Sequence, residues 1–281
     1  MNLSVSNLSM AAAYPGIRPD VLDDSLTQRV FSHYQETLLM DIPSHNFLLS
    51  LGIPMSIAER YGVGYSDRSL GLKIPLGKTK EGAAIRGSLQ RRRLLKNSGH
   101  ELFRGSLVVP ILDRSGKAIA AYGYRTASRL SASTDPEVYW SETGNQPLFN
   151  ALALSEQPSI VLCQNPLDAL VLISAGYSNV IATLGLKRFS DDHLSQLSQA
   201  RTKNVTVVFE NTEANQVYSR LMAQSLHSEG ILCRQAVLPK GMTLIDFVRR
   251  SDSVSRALRR LFSHTLDCRQ SYESLRRAAY V

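Results

Sequence analysis

Apolar residues recur at helical spacing in the first part of the chain and form short continuous runs in the second part. Behind Asp24 and Ser25, apolar positions three to four residues apart predict an amphipathic helix. A second, short helix is predicted from Pro54 to Tyr61, because proline is favoured in the first turn of a helix. The apolar positions that predict the first helix are Leu26, Val30, Phe31, Tyr34, Leu38 and Leu39.

Residues 70–125 predict short strands separated by turns. Within them, residues 108–112 and 118–124 predict a β-hairpin around the turn residues Asp113 to Lys117. Residues 131–150 are polar and rich in turn-forming residues, and they separate this region from the rest of the chain. The first part therefore predicts a small α+β subdomain.

From Gln157 onward, short apolar runs alternate with amphipathic segments. Strands buried on both faces, each followed by a helix, predict an α/β domain with a mostly parallel sheet flanked by helices. The predicted strands are 159–163, 179–183, 204–209 and 231–238, and the predicted helices are 166–175, 190–200, 213–228 and 243–250.

In a sheet of this type, functional residues follow the carboxyl ends of the strands. The expected site therefore consists of residues 164–165, 185–187, 210–213 and 240–246.

Composition places the chain among ordinary globular proteins, since 43% of its 281 residues are hydrophobic and 20% are charged. No run approaches the roughly 18 to 20 consecutive apolar residues that a membrane-spanning helix needs. The first residues also lack the basic start and apolar core of a secretion signal, so we expect a cytoplasmic protein without a membrane partner. Cys163, Cys233 and Cys268 lie far apart, which argues against a disulfide framework and a zinc ribbon.

The net charge of +8 is concentrated in two segments. Residues 84–130 contain ten basic and two acidic residues, and residues 248–281 contain eight basic and three acidic residues. Clustered cations bind polyanions because binding releases counterions from the phosphate backbone, so the distribution favours a nucleic acid as partner. A solvated basic surface is the alternative interpretation.

The order of these segments resembles the catalytic core of bacterial-type DNA primases, in which a small mixed subdomain precedes a Toprim domain. The matching segments are Leu51–Ile53, Tyr61–Tyr65, Val108–Asp113, the Gly-x-Arg element Gly123–Arg125, Leu148–Asn150, Ile160–Ile173, Val180–Gly185, Asn204–Glu213, and Leu238–Gly241 with Asp246–Phe247. The resemblance implies an N-terminal arm and helix (1–45), a primase-core-like α+β subdomain (46–150), a Toprim-like domain (151–250) and a basic helical tail (251–281).

The chain departs from this family where the family does its chemistry. Gln164 and Asn165 stand in place of the family's Glu-Gly, and Glu210-Asn211-Thr212 stands in place of Asp-Gly-Asp. Of a later acidic cluster only Asp246 remains, preceded by Thr243, whereas Asp168 matches a family carboxylate. Because Gln and Thr carry no negative charge, these replacements weaken a magnesium site. We expect Asn165 and Asn211 to preserve the turns, since Asn tolerates the left-handed backbone that glycine favours.

The resemblance therefore implies a degenerate Toprim domain to which we assign no catalytic residue. We expect no cofactor, and Mg²⁺ is the alternative. Four carboxylates remain candidates for a single metal ion: Asp168, Glu210, Glu213 and Asp246. The subdomain that guides single-stranded template in relatives contains the candidate nucleic-acid contacts: Arg86, Arg91, Arg92, Arg93, Lys96, Arg104 and Arg125. Four aromatic residues are candidates for base stacking or for packing: Tyr122, Tyr124, Tyr139 and Trp140.

The leading hypothesis is a primase-like pseudoenzyme that binds nucleic acid, above all single-stranded DNA. It would act with a protein partner as an accessory or assembly factor in DNA replication, repair or maintenance of a mobile genetic element. The first alternative is an active metal-dependent nucleotidyl transferase or nuclease that uses the four remaining carboxylates. The second is a protein-interaction module that binds no DNA.

Overall fold

The computed structural model describes residues 19–126, 136–185 and 188–268, with side chains from residue 23 onward. The chain divides into two compact units. The first unit consists of residues 1–47 and 55–145, and the second consists of residues 48–54 and 146–281. The expected N-terminal arm before residue 19 and the part of the expected tail after residue 268 lie outside the described residues.

The first unit begins with the helix that the apolar spacing predicts, although this helix starts earlier than expected. Its buried face consists of the predicted apolar residues apart from Leu39, which is exposed. The described helices of this part of the chain are α1 (Pro19–Met40), α2 (Ile42–Ser50), α3 (Met55–Arg60), α4 (Leu70–Lys73) and α5 (Lys80–Arg91). Helix α3 confirms the expected helix after Pro54, whereas α2 was not expected.

Residues 70–91 form α4, a turn and α5, so the strands expected there are wrong. The Thr79 hydroxyl accepts a hydrogen bond from Gly82 N and thereby caps α5. Ile85 and Leu89 are fully buried and lie four residues apart, which is the spacing of one helix face. The buried positions of this short segment therefore have the spacing of a helix and not the two-residue spacing of a strand.

An antiparallel sheet of four strands, in the order β1–β2–β3–β4, packs in the first unit. Its strands are β1 (Gly64–Tyr65), β2 (Ser106–Leu112), β3 (Ala118–Arg125) and β4 (Glu137–Ser141). Strands β2 and β3 confirm the predicted hairpin. Strand β4 was not expected in the polar segment, but Val138 and Trp140 are buried at the two-residue spacing of a strand with one buried face.

The second unit contains the predicted α/β domain. Four strands, β5 (Ser159–Cys163), β6 (Val180–Ala182), β7 (Asn204–Val208) and β8 (Leu232–Ala236), pair in parallel in the order β6–β5–β7–β8. The helices are α6 (Pro166–Ser174), α7 (Asp191–Gln199), α8 (Glu213–Ser228), α9 (Leu244–Arg249) and α10 (Val254–Ser263), with a short 3₁₀ helix at Ala151–Ser155. Strands and helices therefore lie where the sequence predicts them.

One further strand, β9 (Thr265–Asp267), was not expected, because the sequence predicts only helix after residue 250. It pairs antiparallel with β8 and closes that edge of the sheet. Next to this pairing, the buried thiols of Cys233 and Cys268 lie 3.2 Å apart. The sheet is thus mixed and mostly parallel, and its interior side chains are almost all apolar, as expected for strands covered on both faces.

Two glycines of α5 give a matched test of packing in the first unit. A Cβ atom at Gly82 would lie 2.2 Å from the Leu76 carbonyl oxygen and 2.5 Å from that of Pro75, whereas at Gly87 the nearest atom is Arg91 Nη1 at 3.6 Å. We expect Gly82→Ala to lower the free energy of unfolding by about 2 kcal/mol because backbone must move. Gly87→Ala should raise it by up to about 1 kcal/mol through helix propensity.

Urea unfolding at equilibrium measures both changes. Equal effects of the two substitutions would contradict the close approach of residues 75–76 to α5.

Candidate functional site

The expected site at the carboxyl edge of the parallel sheet is present as a set of touching loops. The Gln164 carbonyl oxygen accepts a hydrogen bond from Gly185 N at 2.8 Å, which joins the ends of β5 and β6. Asn211 Nδ2 donates to the Leu238 carbonyl oxygen at 2.7 Å, which joins the ends of β7 and β8. Three of the four predicted loops are fully described, and residues 186 and 187 lie outside the described ranges.

Gln164, where the family resemblance implies a glutamate, forms a structural contact with the end of β7. Its Oε1 atom accepts a hydrogen bond from Glu210 N at 3.3 Å. An amide oxygen can accept this bond without a negative charge and without gaining a proton at neutral pH. The side chain at this position therefore joins β5 to β7 and cannot serve as a general base.

Asn165 and Asp168 together form the N-terminal cap of α6. Asn165 Oδ1 accepts from Asp168 N at 2.8 Å, and Asn165 Nδ2 donates to Asp168 Oδ2 at 3.1 Å. Asp168 is buried, with 2% of its surface exposed. Burial, together with the nearby charge of Asp168, raises the pKa of the Cys163 thiol. One oxygen of the carboxylate that matches the family is thus engaged in the cap.

The expectation that Asn165 and Asn211 preserve left-handed turns is wrong. Asn165 is extended, with φ −149° and ψ 159°. Asn211 also lies outside the left-handed region, which among the described non-glycine residues contains only Arg68, Arg93, Asn150 and Arg201. Asparagine serves here through its side chain, because Asn165 caps a helix and Asn211 binds the carbonyl group of Leu238.

Two threonines at or near family carboxylate positions are also helix caps. Thr212 Oγ1 accepts a hydrogen bond from Asn215 N at 3.3 Å and caps α8. Thr243 Oγ1 accepts from Asp246 N at 3.1 Å and donates to Asp246 Oδ2 at 2.9 Å, so Thr243 and Asp246 together cap α9. Asp246 is therefore tied to its own helix, and Glu213 is exposed in the first turn of α8.

These residues do not fit the magnesium ions that the family resemblance implies. In the described part of the chain, no three histidine, cysteine or acidic side chains form a group that could hold a metal ion. Asp168, Glu210, Glu213 and Asp246 thus do not form such a group. The amide and hydroxyl oxygens beside them accept hydrogen bonds from Glu210 N, Asn215 N and Asp246 N and carry no negative charge.

The arginine run at the end of α5 lies at one end of the antiparallel sheet and is held by acidic residues. Arg91 forms a bidentate ion pair with Asp23, with distances of 2.7 and 3.1 Å. Arg92 binds Asp24 and Glu142, and Lys117 binds the same two carboxylates at 3.0 Å each. Arg93 Nη2 donates to the carbonyl oxygen of Ser141, the last residue of β4.

Arg104 and Arg125 lie at the opposite end of this sheet. Arg125 pairs with Ser106 in the β2–β3 register, and Gly105 N donates to the Ser66 carbonyl oxygen at 2.8 Å. Arg104 lines a small cavity of about 150 Å³ together with Arg68 and His100. Arg68, which was not predicted from the sequence, follows β1 and has φ 78°, and no sequence pattern marks it.

Glu101 lies beneath these arginines and is 6% exposed. Burial raises the pKa of its carboxyl group, although hydrogen bonds from Ser66 Oγ and Leu70 N oppose that shift. Through these two hydrogen bonds the carboxyl group holds the chain after β1.

The other predicted contacts have separate locations. Arg86 lies on α5 beside Gly77, and Lys96 begins a turn that ends at His100. Tyr122 and Trp140 are buried, with 0% and 3% exposure, so their rings pack in the core and cannot stack on bases.

Comparison with known proteins agrees with this architecture. The family model described as Toprim-like matches residues 161–248. The DNA primase of Aquifex aeolicus is 27% identical over 229 residues, which cover 79% of this chain and 45% of that protein. The chain thus spans less than half the length of this curated relative.

Two solved structures share the fold. The zinc-binding and RNA polymerase domains of the Aquifex aeolicus primase superpose with a TM-score of 0.70 at 23% identity, covering 89% of this chain and 63% of that one. The DnaG primase catalytic domain bound to ssDNA gives a TM-score of 0.69 at 19% identity, covering 89% of this chain and 83% of that one.

No described helix is both long and apolar enough to cross a membrane.

The cap formed by Thr212 can be tested by substitution. Thr212→Val removes the oxygen that accepts from Asn215 N, and we expect the free energy of unfolding to fall by about 1 kcal/mol. Thr212→Asp should leave it nearly unchanged, because aspartate caps helices well. Thermal or urea unfolding of the two variants measures the difference, and equal losses would contradict the capping role.

Proposed function

We propose that this chain, which has the fold of the bacterial primase catalytic core and contains a Toprim-like domain, binds single-stranded nucleic acid without synthesising primers. The observation that carries the proposal is the use of Gln164, Thr212 and Thr243 as uncharged structural hydrogen-bonding groups. Phosphoryl transfer depends on metal ions that neutralise developing charge, and hard cations need carboxylate ligands. The uncharged side chains of Gln164, Thr212 and Thr243 do not supply carboxylate ligands.

The proposed nucleic-acid surface is the basic end of the antiparallel sheet, formed by Arg68, Arg104 and Arg125. Support comes from the convergence of these cations from three parts of the sequence. A related catalytic domain has been solved bound to ssDNA. Contacts between arginine and phosphate give affinity without sequence information, so binding would be nonspecific and sensitive to salt. Arg91 and Arg92 contribute less, because acidic residues already neutralise them.

The biological role that fits this activity is accessory. A nucleic-acid-binding protein without polymerase activity would act in the cytoplasm with a protein partner, in DNA replication, repair or maintenance of a mobile genetic element. The uncharged caps support this role, because they retain the Toprim-like fold without its metal ligands.

Calorimetric titration with Mn²⁺ tests the absence of a metal site. We expect no stoichiometric binding by the natural chain. The triple variant Gln164→Glu/Thr212→Asp/Thr243→Asp should gain a site, because it adds three carboxylates to loops that touch each other. The variant should fold, since glutamate can accept the bond from Glu210 N and aspartate caps helices.

Stoichiometric binding of Mn²⁺ by the natural chain would contradict the proposal that it is a pseudoenzyme. It would favour the metal-dependent alternative, and primer synthesis and nuclease assays would then follow.

Fluorescence anisotropy with a labelled oligo-dT at several salt concentrations tests the nucleic-acid surface. For Arg68→Ser/Arg104→Ser we expect weaker binding, and a slope of log Kobs against log salt that is shallower by about 0.7 for each phosphate group that the variant no longer binds. The control is Lys203→Ser, an exposed cation of the second unit, which should leave the slope unchanged. Unaltered binding by the double variant would place the DNA on another surface, and absence of binding by the natural chain would overturn the proposal.

A further inference from the structure

A second cavity lies in the second unit and takes no part in the site described above, except that the Leu238 carbonyl group contacts Asn211. Its volume is about 630 Å³, which is within the range of about 300 to 1,000 Å³ typical of small-molecule sites. The segment that follows β8 forms one wall, and α9, α10 and the loop between them form the others. It therefore lies beyond the carboxyl end of a parallel strand, where α/β sheets bind ligands.

The walls combine an apolar surface with concentrated positive charge. Val237, Leu238, Pro239, Phe247 and Leu261 supply the apolar part. Arg250, Arg256 and Arg260 supply the charge, and Asp252 is the one acidic residue among the described lining residues. Within the described ranges, none of the three arginines forms an ion pair.

The like charges of Arg256 and Arg260 destabilise α10. They lie four residues apart in α10, so they share one face of the helix and repel each other. An anion between them would convert this repulsion into two charge-assisted hydrogen bonds. The arginine fork matches the geometry of phosphate oxygens, whereas an apolar wall beside it suits the flat face of a base.

We propose that this cavity binds a nucleotide through its terminal phosphates, with Arg256 and Arg260 as the phosphate ligands and the wall around Phe247 against the base. The phosphates belong either to a free nucleoside triphosphate or to the phosphorylated 5′ end of a strand. Binding here requires no divalent metal, because arginines supply the positive charge. It is therefore independent of the metal-free Toprim edge and of the basic end of the antiparallel sheet.

The test is a fluorescence titration of the full chain with mant-ATP in the presence of EDTA. We expect saturable binding that Arg256→Ser/Arg260→Ser weakens by about tenfold or more, since the double variant cannot form the two charge-assisted hydrogen bonds. The matched control is Arg259→Ser. Arg259 lies between them in the sequence but lines a different cavity with Tyr177 and Ser255, so its replacement should change the affinity by less than about twofold.

Competition identifies the source of the phosphate. Displacement by unlabelled ATP and pyrophosphate, but not by adenosine, indicates a free nucleotide. Displacement by a 5′-phosphorylated oligo-dT, but not by the same strand without that phosphate, indicates a strand end. Absence of saturable binding, or equal losses of affinity in the double variant and the control, overturns the proposal. Displacement of mant-ATP by both oligonucleotides to the same extent also overturns it, because the terminal phosphate would then contribute nothing.

Discussion

Two hydrogen bonds across the ends of the parallel strands organise the second unit. Glu210 N donates to Gln164 Oε1, and Asn211 Nδ2 donates to the carbonyl group of Leu238. Together they join the loops after β5, β7 and β8, which are the loops that carry the expected site. A carboxylate or an amide could accept the first bond equally well in geometric terms, but only the carboxylate would also attract a cation. The hydrogen bonds that join these loops therefore do not depend on a negative charge at position 164.

The sequence predicts the second unit better than the first because the two sheets are covered differently. Strands buried on both faces appear as short apolar runs, and β5 to β8 were predicted from such runs. Helix α5 contains two glycines and only a narrow apolar stripe, so its period was mistaken for that of strands. Strand β9 is three residues long with no fully buried residue and leaves no such run.

The candidate sites show the same limit. The rule for carboxyl ends of strands places Gln164, Thr212 and Thr243 at one edge, but it cannot show that their side chains cap helices or join strands. Positive charge in Arg91 and Arg92 suggested DNA contacts, although their acidic partners come from distant positions in the sequence. Arg68 and Arg104 converge only because β1 and β2 pair. Local charge patterns cannot reveal partners that the fold supplies.

Electrostatics explains why uncharged residues suit this edge when no metal is bound. Carboxylates crowded at one sheet edge repel one another, and a cation must offset that repulsion. Thr212 and Thr243 satisfy the first turns of α8 and α9 as aspartates would, yet add no negative charge. Gln164 likewise keeps the contact between β5 and β7. Each of these uncharged side chains keeps a hydrogen bond that the fold uses and adds no repulsion, so the hydrogen bonds at this edge form without a cation to offset negative charge.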